Sequence, residues 1–400
     1  MIELMEDEKI IFKRKDSNNK SISTKDIVDK YIKGEIRIVT EQARYPLTSI
    51  IEIVESRQYN INPSYQRRNK WDVIKKSRLI ESFIINVPVP PIFLYETEYA
   101  KYELMDGLQR LTSIYEFYKN QFKLEGLEEW PELNGYTYSK LPLQVRNGID
   151  RRYISSIILL YETAKDEVQA KFMKKLVFER LNSGGDTLNP QEIRNAVYDG
   201  KMNKLCMKLA LNKKFCIMWK IPEPDKSEIE QGITSQKRLN NENVKQMQDI
   251  ELVLRFFAFR HIGNVKEIPS FEKFFNIFLE AANKFSDEMI KFYEELFLDT
   301  LELVYSLFNE NAFKLFRKRK NNWILYNRPT KVVYDPIMLA LSQFIERKEQ
   351  LLSNREDIKR DIIEFYKCNY ESFEGRNTNR NDIEKRIKLY IEFFNNYIGE

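Results

Sequence analysis

The sequence predicts an α+β domain followed by an all-α domain, and three observations carry that prediction. Between residues 46 and 200, three β-like runs (Pro91–Glu96, Tyr102–Met105 and Tyr153–Tyr161) alternate with segments of helical period. Residues 221–242 are polar and hold Pro222 and Pro224, the composition of a linker. Beyond them the apolar spacing is helical: Phe271, Phe274, Phe275, Phe278 and Leu279 form one seam, and Ile383, Ile387, Tyr390, Ile391 and Phe394 another. At 400 residues, and roughly 150 per domain, the chain has room for both domains and an arm.

The elements follow in order. Residues 1–45 read as an N-terminal arm, with one short helix from Ser23 to Lys33 stopped by Gly34. Residues 46–220 form the mixed domain. Leu47–Glu55 has helical period, Tyr59–Asn62 is extended, and Asp72 caps a helix reaching Asn86. The second β run leads straight through Asp106-Gly107 into a helix over Leu108–Lys119. A helix over Asp166–Leu181 breaks at Asn182-Ser183-Gly184-Gly185. A marked helix start follows, with Asn189 as N-cap, Pro190 at N1 and Glu192 at N3. Residues 221–242 are the linker and 243–400 the helical domain.

Composition removes several function classes. With 65 Lys+Arg against 60 Asp+Glu the net charge is only +5, so a nucleic-acid role must rest on local patches. His261 is the single histidine, too few for a His-based zinc site or an HNH nuclease. Three cysteines without a CxxC pair argue against a disulfide framework and fit a reducing cytoplasm. An acidic N-terminus and short apolar runs give neither a secretory signal nor a membrane span. The only Gly-Lys pair, Gly200-Lys201, is followed by Met202, so no P-loop is present.

Four patches of sequence could carry chemistry. At Leu104–Arg110 a strand ends at Asp106, Gly107 allows close backbone approach, and a helix start offers amides to a phosphate. The structural alternative makes Asp106 an N-cap and Gln109 its N3 partner. Arg110 opposes it, because a cation in a first helical turn sits against the dipole unless an anion is near. Residues 67–78 hold six basic side chains against one acid, Asp72. Arg180–Gly185 could expose amides as an anion nest. Lys314, Arg317, Lys318, Arg319 and Lys320 form an acid-free run before Trp323.

The blocks NPSYQRRNKW, LIESFIINVPVPPIFLYE, YELMDGLQRLTSIYEFY and FERLNSGGDTLNPQEIRNAVYDG resemble the N-terminal domain of GmrSD-type modification-dependent restriction endonucleases, over about 46–200. The resemblance implies a ParB/sulfiredoxin-like α+β fold that binds a nucleoside triphosphate with Mg²⁺. It implies Asp106, Gln109 and Arg110 as catalytic residues, with Asp106 also the metal ligand, and Gln66, Arg67, Gly107 and Asn182 as nucleotide contacts. Leu108 stands where the family motif has a glutamine, which weakens hydrolysis more than binding. DNA contact is expected at Arg68, Lys318, Arg319 and Lys320. The expected function is a cytoplasmic, nucleotide-dependent DNA-sensing or regulatory subunit of bacterial restriction, without its own HNH domain. Its expected partners are DNA that carries a modification, a separate nuclease subunit and further copies of itself. The alternatives are an autonomous metal-dependent nuclease of ParB-like fold and a non-enzymatic DNA-binding scaffold.

Overall fold

The computed structural model describes residues 4–10, 12, 23–32, 38–61, 71–164, 166–181, 189–231, 234–265, 270–319, 322–374 and 379–399. The chain divides into two compact units, Lys15–Val197 on one side and Met1–Arg14 with Tyr198–Glu400 on the other.

In the first unit the order is α1 (Thr24–Ile32), β1 (Thr40–Pro46), α2 (Ile50–Glu55), β2 (Tyr59–Asn60), α3 (Val73–Ile85), β3 (Ile92–Glu98), β4 (Lys101–Asp106) and α4 (Leu108–Tyr118). There follow α5 (Leu143–Asp150), β5 (Tyr153–Leu159), α6 (Glu167–Leu181) and α7 (Pro190–Val197). The strands form one mixed sheet in the order β1-β5-β3-β4-β2. β3 runs antiparallel to β4 and parallel to β5, which β1 edges in antiparallel sense. Alternation along β3 and β4 sorts their side chains to two faces. Ile92, Leu94 and Leu104 join Leu111, Ile114 and Phe117 of α4 in one core, while Tyr95 and Met105 meet Phe178 of α6 and Ala196 of α7 in another. Helices therefore cover both faces.

The second unit holds α8 (Lys201–Leu209), α9 (Lys213–Trp219), α10 (Lys226–Gln231), α11 (Gln236–Leu239), α12 (Glu242–Lys245), α13 (Gln248–Phe259), α14 (Phe271–Ala282) and α15 (Asp287–Phe308). A hairpin, β6 (Lys314–Arg319) and β7 (Asn322–Pro329), precedes α16 (Lys331–Leu341), α17 (Lys348–Ser353), α18 (Arg355–Cys368), α19 (Tyr370–Phe373) and α20 (Arg380–Asn395). Both predicted seams are core: Phe274, Phe275, Phe278 and Leu279 are buried, as are Ile383, Ile387, Tyr390 and Phe394.

Three expectations are corrected. The C-terminal part is helical but not all-α, because the β6–β7 hairpin interrupts it. Residues 1–45 are not a free arm. Thr40–Pro46 is paired along its length with β5, and Glu8 is fully buried in the second unit against Arg260. Residues 221–242 carry α10, α11 and the start of α12 rather than a linker. Their Arg238 is fully buried, 2.7 Å from Glu228 and 3.6 Å from Asp249, and this ion cluster ties the proline-flanked stretch into the core. The divide falls earlier, at Val197.

Candidate functional site

The Asp106–Arg110 junction is built by β4 and α4. Asp106 is the last residue of β4 and pairs with Phe93 of β3 beside a bulge. Gly107 then turns the chain with φ +105°, a left-handed conformation that L side chains rarely adopt. A Cβ there would lie 2.5 Å from Cγ2 of Ile92, which is fully buried and has nowhere to go. Conformation and space both demand glycine.

This turn overrules the expected capping box. Gly107 is the N-cap of α4, no side chain caps the helix, and Asp106 stands one residue outside it. The Asp106 carboxylate accepts instead from Arg110 Nη2 at 2.6 Å, and the same nitrogen donates to the Pro91 carbonyl at 3.2 Å. The anion that offsets Arg110 against the helix dipole is thus the protein's own. The Asp106 side chain is 54% exposed while that of Arg110 is 15% exposed, so the carboxylate is the movable partner. Arg110 Nε, buried, has no hydrogen-bond partner among the described residues. Gln109 Oε1 accepts the Trp71 amide at 2.9 Å, which ties this helix start to the residue before Asp72, the N-cap of α3.

Chemically the junction is a first helical turn without a side-chain cap, a guanidinium beside it and a glycine that keeps the approach open. That set fits a phosphate. It fits a metal less well, because Asp106 is already paired with Arg110, and no group of three or more His, Cys, Asp or Glu able to hold a metal occurs among the described residues.

The second signature block folds as expected at its helix start. Asn189 Oδ1 accepts from the Gln191 and Glu192 amides at 2.9 and 3.0 Å, and Glu192 returns a bond to the Asn189 amide at 2.7 Å. Sequence reasoning missed what α7 then buries. Arg194, 1% exposed, donates from Nε to Gln191 Oε1 at 2.8 Å, and Gln191 Nε2 donates to Asn195 Oδ1 at 2.8 Å. The polar residues at 191, 194 and 195 share the i, i+3, i+4 spacing of a core face, and that mismatch was the available signal. A second missed pair is Glu103 of β4 with Lys174 of α6, 2.9 Å apart and nearly buried.

Gln66, Arg67, Arg68, Asn182 and Lys320 lie outside the described residues. Lys318 and Arg319 are exposed on the hairpin of the second unit. Lys318 opposes Trp323, and the Arg317 guanidinium lies 5.0 Å over the Tyr326 ring. Arg317, Lys318, Arg319 and Arg328 make no ion pair among the described residues.

Residues 50–198 match the family model described as GmrSD restriction endonuclease, N-terminal domain. That stretch is similar to the GmrSD N-terminal domain. The match runs from the start of α2 to one residue past α7, so the matched stretch contains the Asp106–Arg110 junction and the buried α7 cluster. It ends one residue past the last residue of the first unit, Val197. No curated protein and no solved structure matches the chain. No helix among the described residues is long and apolar enough to cross a membrane.

Proposed function

We propose that the chain is the nucleotide-binding, DNA-sensing component of a restriction system, and that a nuclease on another chain does the cutting. The observation that carries this reading is the Gly107 turn inside the matched stretch, which opens α4 without a side-chain cap beside Arg110. In this reading the domain has the ParB-like fold its resemblance implies. Phosphate oxygens of a nucleoside triphosphate take the α4 amides, and the exposed Asp106 carboxylate swings aside so that Arg110 neutralises them. Gln109, held to Trp71, fixes the start of α4 beside the phosphate site. Mg²⁺ would supply charge neutralisation on the phosphates, with Asp106 as its candidate ligand once Arg110 has released it.

The test is a titration of the four nucleoside triphosphates, with and without Mg²⁺, against wild type, Asp106→Asn and Arg110→Ala. Asp106 is exposed, so Asp106→Asn keeps its melting temperature close to wild type, whereas Arg110→Ala also loses the bond to the Pro91 carbonyl and is expected to melt somewhat lower while staying folded. Arg110→Ala weakens binding at least about tenfold, because it removes one charge-assisted hydrogen bond to the phosphates. Asp106→Asn frees Arg110, strengthens binding without Mg²⁺ and removes any gain on adding it. Wild-type binding in both variants would falsify the nucleotide reading. A nuclease assay of the isolated chain with Mg²⁺ or Mn²⁺ separates it from the autonomous-nuclease alternative.

For the DNA partner, the β6–β7 hairpin is the surface favoured. It presents cations without an ion-pair partner among the described residues, together with the exposed side chains of Ile324 and Tyr326, the mixture that binds backbone phosphates and stacks on bases.

A further inference from the structure

At the root of the same hairpin, against α15, α16 and α18, lies a cavity of about 310 Å³. Small-molecule sites run from roughly 300 to 1,000 Å³, so it has room for one compact ligand. Its walls include Phe316, Ile362 and Tyr366, with the Phe316 and Tyr366 rings 6.0 Å apart. Two amides, Asn309 and Asn311, and two ammonium groups, Lys314 and Lys359, share the lining.

Lys314 is the anomaly. Only 7% of it is exposed, and its Nζ donates to Asn311 Oδ1 at 2.6 Å. No carboxylate pairs with it among the described residues, although an ammonium has three donors to place. Burial pushes its pKa below the usual lysine range, the Lys220 ammonium adds to that, and Glu310 opposes both. Burying an uncompensated cation costs several kcal/mol unless something anionic meets it. Lys359 brings a second ammonium to the same cavity, paired on its outer side with Glu356 at 2.9 Å.

We propose that this cavity binds a planar heteroaromatic ring bearing an anionic group, the chemistry of one nucleoside monophosphate unit. The ring lies against Phe316 and Tyr366, and the anion meets Lys314 and Lys359. The lining chooses this class: aromatic walls favour a flat ring, the amides offer edge hydrogen bonds, and the buried Lys314 ammonium calls for a negative charge that Lys359 is placed to share. Two sources carry the same chemistry, a free mononucleotide and a nucleotide turned out of a strand bound on the hairpin above. The second source rests on the DNA reading proposed above; the pocket does not.

The experiment titrates AMP, GMP, CMP and dTMP by calorimetry against the full chain carrying Arg110→Ala, which silences the α4 junction. Ribose 5-phosphate is the control without a ring. At least one mononucleotide is expected to bind with Kd below about 1 mM, and Lys314→Met to weaken it at least about tenfold. Lys359→Gln, at the more exposed edge, is expected to weaken it severalfold and serves as the second variant if Lys314→Met melts early. Absence of mononucleotide binding, wild-type affinity in both variants, or equal binding of ribose 5-phosphate would each overturn the proposal. A duplex carrying 2-aminopurine then identifies the source. A fluorescence rise that Lys314→Met abolishes assigns the ligand to the strand, and mononucleotide binding without that rise assigns it to free nucleotide. Lys318→Ala with Arg319→Ala must leave mononucleotide affinity intact even where it removes DNA binding.

Discussion

At Gly107 a single Cβ decides whether the candidate site can exist. A methyl there would meet both an unfavourable φ and Ile92 at 2.5 Å. Left-handed strain costs roughly 1–2 kcal/mol and overpacking a further 1–3. Gly107→Ala is therefore expected to destabilise the protein by about 2–5 kcal/mol in urea denaturation. A loss below about 0.5 kcal/mol would mean that the turn relaxes easily and that its geometry is not enforced. The same residue explains why the capping expectation fails nearby. Asp106 and Gln109 have the spacing of a capping pair, but the left-handed glycine moves the N-cap one position along. The carboxylate then points to Arg110 and the amide to Trp71. Residue types at this junction were legible from sequence, and their bonding was not, because one dihedral angle sets the register. Arg194, by contrast, is buried by tertiary packing, and the only local sign of it is the core-face spacing it shares with Gln191 and Asn195.

Among the elements, the strands and seams that bury one continuous apolar set were legible, since burial of one face writes a period into the sequence. The β6–β7 hairpin was not. Trp323-Ile324-Leu325-Tyr326 is an unbroken apolar run, which periodicity cannot divide between helix and strand, and half of it faces water because Ile324 and Tyr326 are exposed. The basic run before it is also divided by the fold: Lys314 is buried at the root, whereas Arg317–Arg319 are exposed. Only the outer part should govern DNA affinity. Every phosphate that a cation neutralises adds roughly 0.9 to the slope of log K against log salt, so Lys318→Ala with Arg319→Ala is expected to flatten it by about 1.8. The weakening should be uniform across sequences in filter binding or anisotropy. An unchanged slope would make the hairpin face a solvated surface and no more.

At the scale of the whole molecule, the chain's first residues belong to the unit formed by its second half, a join across 252 positions that no local reading reveals. Glu8 takes both Arg260 Nε and Nη2, at 2.8 and 3.1 Å, and the Tyr293 hydroxyl donates to it at 2.9 Å. That hydroxyl is then left to accept from His261 Nε2, also at 2.9 Å, which puts the neutral imidazole's proton on Nε2. Burial lowers the His261 pKa to about 4, with the Glu8 carboxylate opposing and Arg260 assisting. Burial raises the Glu8 carboxyl, but Arg260 and Tyr293 hold it below the usual range. The signs agree. Below the ordinary histidine value of 6.5 the unfolded chain binds a proton that the folded protein refuses, so stability falls on acidification towards pH 4. Glu8 adds its loss only further down, as its own folded pKa is approached. From the His261 shift, stability should drop by about 2 kcal/mol between pH 7 and pH 5. Because His261 is the chain's single histidine, no other imidazole can produce that drop. Urea denaturation at both pH values should show it in wild type, and His261→Gln should lose at least half of it. Glu8→Gln leaves Arg260 buried without its counter-ion and should cost about 3–5 kcal/mol at pH 7. If wild-type stability were equal at pH 7 and pH 5, the histidine could not be buried and neutral, and the clasp that joins the two ends of this unit would have to be redrawn.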